Sequence, residues 1–203
     1  IGHCTGYCEV MEALGGTTAS ARAAAIRGVA LELERLANHT GDLGALAGDV
    51  GYLPTMSYCG RIRGDFLNMT ALICGNRFGR GLVRPGGVAW DLDDARCEEL
   101  AKRLDVAFRD LTGAADLFFD APSVMARFEG TGVLSHQDCM ALGIVGPAAR
   151  ASGNEHDART DFPSGIYRFA QVPASSWDTG DVLARALVRW LESQRSIAFI
   201  REH

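Results

Sequence analysis

The chain has 203 residues, 47% hydrophobic and 22% charged, a balance that excludes wholesale disorder and fibrous repeats and lets one domain bury its own core. Twenty Lys and Arg against 25 Asp and Glu give a net charge of -5, which argues against a nucleic-acid surface or a polybasic membrane anchor. Cysteines 4, 8, 59, 74, 97 and 139 are too dispersed for a disulfide framework and read as reduced thiols of a cytosolic protein.

No stretch approaches the roughly 20 apolar residues that span a bilayer; the best run, 145–151, is broken by Gly146 and Pro147. The chain opens on Ile1 rather than Met, with a Cys/His cluster already under way at His3, and reads as a piece of a longer polypeptide. Residues 18–48 carry a helical period through Ile26, Val29, Leu33, Leu36, Ala37 and Leu43. Gly51, Pro54 and the 57–60 stretch punctuate it, and a second helix is expected from Arg61 to Cys74. Arg84-Pro85-Gly86-Gly87-Val88 reads as a tight irregular loop, because Pro fixes φ and paired glycines admit conformations closed to other residues. Asp91 or Asp93 caps a third helix carrying Leu100, Leu104, Phe108 and Leu111, expected to end before Gly113.

Beyond it the pattern gives short helices at 115–119 and 136–142, and a short strand at 124–128. Residues 143–173 lose periodicity and read as a long structured loop with one or two strands near 166–172. Asp178 or Thr179 is expected to cap the last helix, which carries Val182, Ala186 and Trp190 on one face. The fold class is mainly α: one helical domain over residues 1–203, a bundle of about four long helices with a structured loop region and a few short strands.

Glu32, Arg35, His39 and Asp42 recur at i, i+3, i+7 and i+10, a polar line that serves either as a solvated face with local ion pairs or as a proton relay. His3, Cys4 and Cys8 lack the Cys-x-x-Cys spacing that closes on zinc or an iron-sulfur cluster, so no metal site is assigned within the chain. The glycine-rich 75–81 segment follows a helix and lacks the Lys-Ser/Thr ending of a phosphate loop. Arg150, Asp157 and Arg159 concentrate fixed charge in the 146–167 region, where the plain reading is an Asp157–Arg159 pair on a surface loop.

Read in order, Arg22, Arg27, the Glu32-Leu-Glu-Arg-Leu-Ala-Asn-His39 segment, Asp49-Val50-Gly51, Arg63, Gly75-Asn76-Arg77, Arg84-Pro85-Gly86-Gly87-Val88, and Arg150-Ala-Ser-Gly with Asp157, Arg159, Pro163 and Tyr167 resemble two homologous families. One is the large subunit of energy-converting nickel–iron hydrogenases of the formate hydrogenlyase kind. The other is the quinone-site subunit of NADH:quinone oxidoreductase, respiratory complex I.

The resemblance covers nearly the whole chain. It implies an oxidoreductase subunit that passes electrons from a 4Fe–4S cluster on an iron-sulfur small subunit to protons or quinone. It also implies a cytoplasmic location, peripheral to the inner face of the cell membrane through partner subunits. The NiFe centre's two cysteine pairs, and the tyrosine and histidine of the quinone site, would lie outside these residues.

By the same resemblance Asp49 matches the aspartate that orients the quinone-site histidine. Asp49, Arg63, His39 and Glu32 are the expected catalytic residues, and His3, Tyr7, Arg84, Gly86, Gly87, Arg150, Asp157 and Arg159 the expected quinone or active-site cavity. Gly64 stands where the family usually has Glu, a departure that weakens the relay. The alternative is a non-catalytic structural subunit of a membrane-associated respiratory complex.

Overall fold

The computed structural model describes all residues, 1–203. Four long helices form the bundle: α2 (Ala21–Asp49), α3 (Leu53–Cys74), α4 (Asp94–Phe119) and α9 (Val182–Glu202). α2 packs on both α3 and α9, and α4 bridges α3 and α9 to close the ring. One apolar cluster fills it, with Leu33, Leu36, Ile62, Phe66, Leu104, Leu111, Phe118 and Phe128 among its most buried members. No helix is long and apolar enough to cross a membrane.

α2 starts where Ser20 accepts the Ala23 N–H, and α4 where Asp93 accepts the Arg96 N–H, each a side-chain oxygen on an otherwise unpaired donor. The α2–α3 approach is close because glycines face it. A Cβ on Gly44 would lie 2.9 Å from the Cys59 Cβ, and one on Gly48 2.9 Å from the Met56 sulfur.

Several elements differ from the expectation. Residues 2–15 form a helix, α1 (Gly2–Gly15), that buries only Cys8 and Glu12; its glycines and polar residues leave too little apolar period to read. α3 begins at Leu53, not Arg61, because Pro54 sits in its first turn, where a missing N–H costs nothing.

α4 runs through Gly113 to Phe119, since burial of Ala114, Ala115 and Phe118 outweighs the roughly 1 kcal/mol that a helical glycine costs. The expected strand at 124–128 is instead part of α5 (Pro122–Phe128): Pro122 opens it and Val124 and Phe128 bury one face at helical spacing. The only strands are β1 (Val83–Arg84) and β2 (Gly87–Val88), an antiparallel hairpin turned at Pro85-Gly86.

After α6 (His136–Ala141), capped by Ser135, the long loop contains α7 (Gly146–Arg150), α8 (Ala158–Asp161) and a 3₁₀ turn at Gly165–Arg168. No strand forms at 166–172. α9 is capped by Asp181 rather than Asp178 or Thr179; Asp181 accepts from the Ala184 and Gly130 N–H groups and the Thr179 hydroxyl.

Candidate functional site

α7, α8 and the 3₁₀ turn lie against one side of the bundle, and a cavity of about 910 Å³ opens between them, α1 and α2. Leu31, Ile144, Val145, Pro147 and Phe162 supply apolar wall, and Arg35, Arg150, Asp157, Arg159 and Tyr167 supply polar wall. Val145 and Phe162 are each 82% exposed at its rim.

Beneath this wall lies a buried charged cluster. Glu32, wholly buried at mid-α2, accepts from Tyr167 Oη at 2.6 Å, Ser196 Oγ at 2.5 Å, Arg35 Nε at 3.1 Å and Arg159 Nη1 at 3.2 Å. Arg159 also grips Asp157 through Nε at 3.0 Å and Nη2 at 2.6 Å. Glu192, wholly buried on α9, accepts from Arg150 Nε at 2.6 Å and Nη2 at 2.5 Å, and its other oxygen lies 2.6 Å from His39 Nε2. Arg150 completes its donors on the His156 carbonyl at 3.0 Å.

Pairing decides the ionisation of these groups. Burial pushes Glu32 up, but Arg35, Arg159 and the Ser196 and Tyr167 hydroxyls outweigh it and hold its carboxyl below the usual range. Burial likewise opposes ionisation of Glu192 and Asp157. His39 and Arg150 on the first, and Arg159 on the second, bring each down to about 2. Burial drives His39 downward, partly offset by Glu192 and reinforced by Arg35 and Arg189. His39 is therefore neutral near pH 7, and a carboxylate partner requires Nε2 to carry its proton. Nδ1 is left as a buried acceptor with no partner.

The polar line on α2 is ion-paired and largely interior. Glu32 and His39 are buried, so the line is no solvated face; only Asp42, paired with Arg189 at 2.7 Å, is half exposed. The Asp157–Arg159 pair exists, but in the interior at 4% and 7% exposure. Seven groups from three parts of the chain thus converge: Glu32, Arg35 and His39 from α2, Arg150, Asp157 and Arg159 from the loop, and Glu192 from α9.

The other expected site residues lie elsewhere. Asp49, the last residue of α2, is exposed and carries no ion pair. Along the helix it is 14 residues, about 21 Å, from Arg35. Arg63 is exposed on α3, its chain over Gly41, in a separate 440 Å³ cleft with Asn38, Asp42 and Met56. His3 and Tyr7 point outward from α1, which meets the cavity through Gly2, Thr5, Gly6 and Glu9 instead.

Arg84 is exposed and stacks on Trp90 at 5.9 Å. Gly86 and Gly87 bind a second buried pair rather than the cavity. The Gly86 N–H donates to Glu12 at 2.8 Å, and the Gly87 carbonyl accepts from Arg27, which itself holds Glu12 at 2.6 Å. A side chain at Gly64 would meet open space. Sequence reasoning missed Glu192, Ser196 and Glu12 as the partner of Arg27; the local pattern gives no signal, since Arg189, Arg195 and Ser193 beside Glu192 read as a solvated stripe.

No group of three or more His, Cys, Asp or Glu is placed to hold a metal ion, and Cys4 is exposed while Cys8 is buried. These residues alone do not fit a nickel centre.

The fold is a helical bundle crossed by buried ion pairs beside a cavity with apolar and polar walls. The chain belongs to the respiratory-chain NADH dehydrogenase 49 Kd subunit family, whose pattern matches residues 49–203. It is 33% identical over 199 residues to the carbon monoxide-induced hydrogenase of Rhodospirillum rubrum, covering 97% of this chain and 55% of the relative. It is 33% identical over 200 residues to NADH-quinone oxidoreductase subunit 4 of Thermus thermophilus, covering 98% of this chain and 49% of the relative. With an NADH-quinone oxidoreductase subunit of Clostridium beijerinckii it shares 32% over 198 residues, 97% of this chain and 53% of that one. The chain therefore spans about half the length of these relatives.

Proposed function

We propose that this chain is the helical part of an oxidoreductase subunit that takes electrons from a 4Fe–4S cluster on an iron-sulfur partner and delivers them to quinone or protons. The assembly would sit on the cytoplasmic face of the membrane, held there by its partners. The observation that carries the reading is the buried cluster beside the cavity, in a family of oxidoreductase subunits. Buried charges cost several kcal/mol each to desolvate, so hydrophobic packing would make a cheaper scaffold.

A cavity of about 910 Å³ suits a planar quinone ring. Leu31, Ile144, Val145 and Phe162 would pack on the ring. Arg35, whose terminal nitrogens make no hydrogen bond in the cluster, would donate to a carbonyl oxygen. A bound quinone supplies two-electron, two-proton acceptor chemistry. His39 and Glu32 sit in the protein's own proton-handling interior, Arg63 would act in the separate cleft beside Gly41, and Asp49 at the C-terminal end of α2.

A non-catalytic structural role is favoured by Gly64 and by Arg150 and Arg159 being engaged within the cluster, Arg150 by Glu192 and the His156 carbonyl and Arg159 by Asp157 and Glu32.

The test is nickel and iron analysis of the complete polypeptide, purified anaerobically with its partners, followed by quinone binding. Nickel near one atom per chain would place it with hydrogenases. Quinone binding without nickel would place it with quinone reductases, and neither would leave the structural role. In the same complex, Asp49→Asn should lower turnover with assembly intact, since it removes charge and keeps shape; unchanged turnover would refute a catalytic Asp49.

A further inference from the structure

The cluster beneath the cavity is balanced in charge. Glu32, Asp157 and Glu192 face Arg35, Arg150 and Arg159, and the one neutral titratable base among them is His39. It is 5% exposed, its Nε2 proton is committed to Glu192 at 2.6 Å, and its Nδ1 lone pair has no partner. An unpartnered acceptor in the interior costs about 1–3 kcal/mol, and this lone pair is the position on the imidazole left free to take a proton.

The charged groups around it are Arg35 and Asp42 on its own helix, Glu192 and Arg189 on α9, and Arg150 on α7 acting through Glu192. Burial and the Arg35 and Arg189 guanidiniums oppose protonation, and Glu192 favours it. Arg35 is the one among them that both lines the cavity and keeps unused donors. Negative charge placed against Arg35 would offset a cation that His39 feels directly.

We infer that His39 Nδ1 is the proton-uptake site of this cluster, filled when negative charge arrives at the cavity wall beside Arg35. The step forms one N–H bond with a proton from solvent and gives an imidazolium held by Glu192; no electrons move in it. The charge sum of the cluster plus cavity is then the same before and after, which is the condition a low-dielectric interior imposes.

The inference rests on the reading of the cluster as proton-handling machinery. Its test is made without turnover and can fail while the nickel or quinone result stands.

The experiment is histidine nitrogen and carbon NMR on the protein, whose five histidines are assigned by single substitutions. In the unaltered protein His39 should be the neutral Nε2–H tautomer at and above about pH 7. Arg35→Gln imitates arriving negative charge and should raise the proton affinity of His39 about tenfold or more. Arg189→Gln, which frees Asp42, should raise it by a smaller factor and decides the matter if Arg35→Gln does not fold. Glu192→Gln should lower it. An Nδ1–H tautomer, or a His39 that titrates identically in the unaltered protein and both arginine variants, would overturn the inference.

Discussion

Arg150 shows how far a single side chain in this protein is committed. It is 5% exposed and spends both faces of its fork, on Glu192 and on the His156 carbonyl. Arg150→Ala would leave Glu192 buried with its main cation gone, and removing one partner of a buried pair costs about 3–5 kcal/mol. Urea unfolding should show a loss of that size. Replacing exposed Arg103, whose partner Glu99 is also in water, should cost less than about 1 kcal/mol. The residue types of the cluster were legible in the sequence as a polar line and a charged loop. Their burial was not, because Glu32 and Glu192 lie on helices whose spacing fits a solvated stripe equally well.

At the scale of elements, the α2–α3 contact depends on what is missing from Gly44. Adding one methyl there puts it 2.9 Å from the Cys59 Cβ, a contact that moves a helix rather than a side-chain tip. Gly44→Ala should therefore destabilise the fold by about 1–3 kcal/mol, the usual penalty for overpacking, although alanine is the better helix former. A thermal melt compared with Gly60→Ala, where a Cβ meets nothing within 4 Å, separates the two effects, since Gly60→Ala should be neutral or stabilising. Long helices were readable because ten or more residues average out local exceptions. Short α5 and the sparsely buried α1 were not: two buried residues each leave a period too weak to distinguish from loop or strand.

For the whole molecule, the buried carboxylates set the acid limit of stability. Glu192 and Asp157 titrate at about 2 in the fold against ordinary values of 4.5 and 3.8, and Glu32 and Glu12 are shifted in the same direction. A depressed folded value means that the stabilisation is complete above the unfolded value and is lost as the pH falls towards the folded one. Unfolding free energy should be level above about pH 7, begin to fall below about pH 6.5, where the unfolded imidazole of His39 charges and the buried one resists it, and decline further between about pH 4.5 and 2 as the carboxylates protonate. Glu192→Gln should flatten part of that decline, and a curve unchanged by it would show that Glu192 is not the acid-sensitive group.

By itself the sequence determined a mainly helical fold, its four long helices, the cap of α4 as one of two aspartates and, through the ordered motifs, the family. Apolar period and cap chemistry are local, and the motifs keep their order whatever the fold does. Only the tertiary structure decided that the α2 line is interior, that Arg150, Asp157 and Arg159 join it through Glu192, and that Asp49 and Arg63 lie apart from them. Those facts depend on which helix faces meet across 42 to 153 residues of chain, and no spacing within one helix encodes them.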